Sequence, residues 1–124
     1  MSTMDSYKYK VALPAPSLYG QFNNLEDSNI ILTSLLKIGF DMVYEVASGA
    51  EIVSEMSRRY IAENTEKWQL ISTACHTIVK LIRIRFPGLI DQMLPIQPPV
   101  EVAAMMAREK ALKESGLPSQ DIGI

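Results

Sequence analysis

Cysteine is almost missing from this chain. One thiol, Cys75, stands in 124 residues, which excludes an internal disulfide and fits a reducing compartment. A single cysteine also cannot by itself hold an iron–sulfur cluster, which takes several thiolates. Histidine is as scarce, and the one present, His76, is the sequence neighbour of Cys75. Adjacent side chains are poorly placed to act as base and nucleophile, so no catalytic pair is read there. No apolar run approaches the roughly 20 residues of a membrane span. Met1 to Lys8 is polar and lacks the apolar centre of a signal peptide. Neither GxGxxG nor a Walker sequence occurs, so no phosphate cradle is expected. A concentrated basic face is missing too: net charge is −2 with both signs interspersed, against binding to nucleic acid by counterion release. The expected location is cytoplasmic, with no nucleic-acid and no membrane partner.

What is present suits one globular domain. The chain is 48% hydrophobic and 21% charged, enough to build a core and too apolar for a disordered chain. Residues 1–8 read as a flexible leader. Tyr7 to Leu13 alternates and then turns apolar, as a first strand does. Pro14-Ala15-Pro16-Ser17 stops it, because two prolines cannot continue a ladder, and a loop follows to Asn24. Leu25 to Ile38 carries apolar residues near the helical period, with Asn23 or Asn24 as cap and Gly39 as the left-handed residue that closes it.

Phe40 to Ala47 reads as a second strand broken by Ser48-Gly49, and Ala50 to Glu63 as a second helix. Trp68 to Thr73 reads as a third, buried strand. It turns through Ala74-Cys75-His76 into a helix that runs to Phe86 and stops at Pro87-Gly88. Leu89 to Leu94 is a short helical turn, and Pro95 to Pro99 an extended connector. Pro99 opens a last helix to about Glu114, ended by Gly116 and Pro118. Asp121 to Ile124 then reads as the opening of another strand. This alternation predicts an α/β fold: a parallel sheet of three to four strands with crossover helices on its faces.

Ligands of such sheets gather at the carboxyl ends of the strands. Three loops qualify: Pro14 to Ser17, Ser48-Gly49, and Thr73 to His76. Cys75 is the one residue there with distinctive chemistry. It is read either as a small buried hydrophobe or as a thiol at a helix N-terminus with a lowered pKa. Ser17 reads as a loop cap, His76 as a helix-start polar residue, and the methionines, Met105-Met106 included, as core filler. Arg58-Arg59 and Lys80, Arg83 and Arg85 read as solvated helix faces.

Taken together, these loops resemble the catalytic, H-cluster domain of iron-only (diiron) hydrogenases and their hydrogenase-like relatives. Val11 to Ser17 resembles the family's first strand and its Ala-Pro-Ser loop. Leu36 to Val46 (LKIGFDMVYEV) resembles its "LKKLGFDKVFE" segment, and Gly49 to Ile52 its "GADI". Ile71 to His76 (ISTACH) stands where the family has "FTSCCP". Arg85 to Ile90 resembles "RFPELI", and Pro98 to Ala103 resembles "SPMEVAA". The likeness extends over almost the whole chain after Lys8.

The resemblance implies roles residue by residue. Cys75 corresponds to a metal ligand of the four-iron cubane joined to the diiron centre. Ala74 corresponds to the cysteine that relays protons beside that centre, and His76 to a proline. Ala15, Pro16 and Ser17 correspond to the loop lining the diiron ligand, so Ala15, Pro16, Ser17 and Ala74 are the implied cofactor-binding positions. The family's other three cubane cysteines would follow the strand that opens at Ile122. Residues 9–124 are therefore expected to be the N-terminal lobe of such a domain, truncated before its next strand.

The full-length parent would hold the iron–sulfur cluster, while none is expected in this fragment, which is not expected to be catalytic alone. Without an acidic hydrogen at Ala74, slow sensing of hydrogen or redox state is expected over bulk turnover. The expected partners are the remaining lobe of the same domain and other copies of the chain. The alternative is a metal-free α/β binding or interaction module derived from the same fold.

Overall fold

The computed structural model describes residues 4–22, 27–66 and 69–124. Strand β1 (Tyr9–Ala12) lies at the centre of a three-stranded sheet, flanked by β2 (Met42–Val43) and β3 (Ile122–Gly123), all parallel. Val11 pairs with Met42 on one side, and Tyr9 pairs with Ile122 on the other. Parallel strands need crossovers. Helix α1 (Asn29–Ile38) makes the first, and α2 (Val46–Glu63), α3 (His76–Arg85) and α4 (Pro99–Ser115) make the long second one. The expected α/β architecture is what forms.

The register is fixed at several points outside the ladder. Asp41 accepts from the Lys10 amide through Oδ2 at 2.8 Å and returns its own amide to the Lys10 carbonyl at 2.8 Å. Lys8 does the same service at the far edge. Its amide donates to the Asp121 carbonyl, and its Nζ reaches Asp121 Oδ2 at 2.9 Å. The Val46 amide donates to the Pro14 carbonyl at 3.2 Å, which ties the end of the first loop to the head of α2.

The core lies between the sheet and α4. Val11, Met42 and Ile122 from the three strands pack on Ala107 and Ala111. Ala103, Ala107 and Ala111 recur every fourth residue, all fully buried, so α4 lays a smooth methyl row against its neighbours. Helix α2 meets α4 in the most extensive helix–helix contact, with Val46, Gly49 and Val53 buried. Gly49 decides how close they come. A Cβ at that position would overlap the Pro99 carbonyl oxygen and stand 2.9 Å from the Ala103 nitrogen. Gly39 and Gly116 close α1 and α4 in the left-handed conformation, as glycine there should.

Several boundaries differ from the sequence reading. The second strand ends at Val43, and Val46-Ala47 already belong to α2. Ser48-Gly49 does not break the chain but lies within the helix, because the contact with α4 selects glycine at 49. The segment read as a strand from Trp68 to Thr73 makes one parallel bridge, Ile71 to Met93, and does not join the sheet. Lys67 and Trp68 lie outside the described residues, as do the proposed caps Asn23 and Asn24 and the start Leu25 of the first helix.

Ile71 is only half-buried, and Ser72, Ala74, Cys75 and His76 are exposed, so the stretch is no core strand. Its polar side chains bond to backbone instead: Ser72 Oγ accepts locally from the Ala74 amide, and Thr73 Oγ1 donates across to the Ile96 carbonyl at 2.6 Å. The third strand of the sheet is the one read from Asp121 onward. Pro16–Gln21, read as loop, is a 3-10 helix, with Pro16 at its first turn. Met105 and Met106 are exposed and fill no core. Among the described residues, no helix is long and apolar enough to cross a membrane.

Gly49→Ala should lower stability by about 1–3 kcal/mol, the range for overpacking a close contact. Gly20→Ala, whose added methyl meets nothing within 4 Å, should stay within about 0.5 kcal/mol. Urea midpoints of the two variants against the parent chain check this, and equal midpoints would contradict it.

Candidate functional site

The carboxyl end of β1 delivers Pro14 to Ser17 to one rim of α2. Pro14 is buried, and Ala15, Pro16 and Ser17 are exposed. Pro16 turns toward α2, where it lines a hollow with Ala47, Ala50, Ser54 and Arg58. Ala15 and Ser17 turn the other way, into an apolar hollow of about 720 Å³ with Val11, Leu13, Leu35 and Phe40. Tyr19 anchors the loop: its hydroxyl donates to Glu45 Oε1 at 2.6 Å, at the N-cap of α2. Burial and the neighbouring Glu45 carboxylate push the Tyr19 phenol up to about 12. Its proton, and with it the clasp, is therefore held throughout the neutral range.

The 72–76 turn reaches the same helix from the other side. Ser72 and Ala74 line a cavity of about 540 Å³ with Ala50, Ser54, Ser57 and Arg58. Ala50, Ser54 and Arg58 recur at four-residue spacing, so they form one stripe on α2, and this stripe borders both hollows. The structure thus brings Pro16 and Ala74 to one face of α2. It does not bring Ala15 and Ser17 there. Arg58 on this stripe is held by Glu55 at 2.8 Å. Thr73 and His76 alternate to the opposite side of the turn. They face a second cleft, of about 490 Å³, between α3 and the 93–98 segment. His76 Nε2 and Glu101 Oε1 stand 2.9 Å apart there.

Cys75 is the N-cap of α3, with extended backbone (φ −108°, ψ 112°). It is exposed and free, so the reading of it as a buried hydrophobe is set aside. The nearby amides of Ile78 and Thr77 hold its thiol below the ordinary thiol range, without a full capping hydrogen bond. Orphan amides at a helix start favour an anion, here the thiolate, which is the metal-binding form of cysteine. Among the described residues no group of three or more His, Cys, Asp or Glu is placed to hold a metal ion. A four-iron cluster takes four thiolates. Cys75 fits one corner of such a cluster, and the donors of this chain do not close the other three.

Sequence reasoning singled out Cys75, Ala74 and the Ala-Pro-Ser loop as candidates and missed the α2 stripe and the two clasps. The four-residue spacing of Ala50, Ser54 and Arg58 was a usable signal. Tyr19 with Glu45, and His76 with Glu101, are pairs separated by 26 and 25 residues, and no local pattern announces them.

A parallel α/β sheet with a proline loop and a thiol-bearing turn bordering one helix defines the class: an α/β protein with an exposed thiol at a helix start. A comparison with protein-family profiles matches residues 8–122 to the iron only hydrogenase large subunit, C-terminal domain. The chain belongs to that family. A search of the curated proteins finds no match.

Alkylation of Cys75 by iodoacetamide should show a lower pH midpoint in the folded chain than in urea. The folded thiolate fraction exceeds the unfolded one at every pH between the two pKa values. Coincident midpoints would show that the α3 amides do not hold the thiolate.

Proposed function

We propose that this chain is the N-terminal lobe of a hydrogenase-like domain whose full-length protein binds an iron–sulfur H-cluster. In that protein, Cys75 is one thiolate ligand and the other three come from beyond these 124 residues. The observation that carries the reading is Cys75 itself. It stands where the family resemblance puts a cubane ligand, and its thiolate is favoured by two helix amides. The cluster would supply the redox chemistry of hydrogen oxidation and proton reduction, or of hydrogen and redox sensing.

This chain's own residues have narrower tasks. Cys75 binds. The Tyr19–Glu45 clasp and the α2 stripe orient the proline loop. Ala74 offers a methyl group where the resemblance puts a relay thiol, so it passes no proton to a reacting centre. That favours slow sensing over bulk turnover, and the chain alone is read as inactive.

Other parts of the reading rest on the surface. Ile78, Leu81, Ile84 and Phe86 along α3 are exposed apolar side chains, a surface that the remaining lobe of the domain would cover. Uncovered, it promotes self-association of the chain. The protein is read as cytoplasmic, with no nucleic-acid or membrane partner.

The test uses the full-length protein, produced anaerobically with iron. Cys75→Ala should remove the four-iron signal in electron paramagnetic resonance and lower bound iron, whereas Ala74→Cys should retain the signal and raise hydrogen turnover. Iron content and spectrum unchanged by Cys75→Ala would leave the metal-free interaction module as the better reading.

A further inference from the structure

We propose that the cleft between α3 and residues 93–98 binds a small organic monocarboxylate with an aliphatic body of about eight carbons. This inference is independent of the cluster reading, since it uses neither Cys75 nor the α2 stripe. The cleft, about 490 Å³, falls within the ordinary range for small-molecule sites, roughly 300–1,000 Å³. Its middle is apolar, formed by Val79, Met93 and Leu94. Three charged or titratable side chains line it: His76, Arg83 and Glu101.

The polar groups are unequally committed. Glu101 is engaged by His76 at 2.9 Å, and the Thr73 hydroxyl is spent on the Ile96 carbonyl. Arg83 has no ion pair or side-chain hydrogen bond among the described residues. A guanidinium with open donors beside an apolar floor suits a carboxylate, which it can take in a two-pronged contact.

Geometry sets the length and the sign pattern of the ligand. His76 and Arg83 are seven residues apart on α3, about 10 Å along the axis at 1.5 Å per residue. A carboxylate on Arg83 with an extended chain of about eight carbons would lie over Val79 and end near the His76–Glu101 pair. A second carboxylate at that end would meet Glu101 and be repelled. The cleft should therefore discriminate between octanoate and suberate, its dicarboxylate counterpart.

The probes are octanoate and suberate, titrated into the ¹⁵N-labelled chain while the amide signals of Thr73, His76 and Gln97 are followed. Octanoate should give saturable shifts, and suberate should bind at least about tenfold more weakly, the loss expected for one unfavourable charge contact. Arg83→Gln should weaken octanoate by about tenfold or more, whereas Lys80→Gln, on the same helix but outside the cleft, should leave it unchanged. Glu101→Gln should bring suberate close to octanoate. Non-saturating shifts, equal affinity for the two acids, or equal loss in Arg83→Gln and Lys80→Gln would each overturn the assignment.

Discussion

The approach of α2 to α4 at Gly49 is the constraint on which the rest depends. With no Cβ at 49, the helix backbone settles against Pro99 and Ala103. The alanine row on α4 continues the same close fit down to the sheet, through Ala107 and Ala111 onto Val11, Met42 and Ile122. Small side chains here do what large ones do in most cores: they remove apolar surface from water by bringing backbones together. The residue after Gly49 is Ala50, about 100° further around the helix. Fixing Gly49 against α4 therefore also fixes the Ala50–Ser54–Arg58 stripe that borders Pro16 and Ala74.

Two loops, far apart in sequence, are then held along one stripe of α2 by different means. The first loop is clasped by Tyr19 to Glu45 and by the Val46 amide to Pro14. The second is clasped by Thr73 to Ile96 and by His76 to Glu101. These bonds are few, and those made by side chains are part-buried or exposed, so each contributes modestly to stability. Their effect is directional: they leave Cys75 at the head of α3 with its thiol toward solvent and the helix amides beneath it.

Much of the architecture was legible from periodicity and punctuation. Gly39, Gly116, Pro87 and Pro99 ended or opened helices where such residues do, and the strands at Val11 and Ile122 were visible as apolar runs. The errors share a physical cause. Ser48-Gly49 looked like a break because glycine is costly inside a helix, and only the proximity of α4, a tertiary fact, explains it. Ile71 looked like core because it is apolar, but it makes a single bridge to Met93, while Ser72 bonds locally to the Ala74 amide and Thr73 reaches across to Ile96. Met105-Met106 looked like core filler, yet Ala103 and Ala107 on either side, not the methionines, face inward. The candidate site was legible mainly through Cys75 and the family likeness. The clasps were not, since their partners meet only in the fold.

The central claim is geometric: the proline loop and the thiol turn are held at fixed separation across one face of α2. The most direct measurement is a spin-label distance between Pro16→Cys and Ala74→Cys in a Cys75→Ala background. The account predicts a single narrow distribution below about 25 Å, one helix diameter of about 10 Å plus the two label arms. A broad distribution, or a mean well beyond that distance, would contradict it.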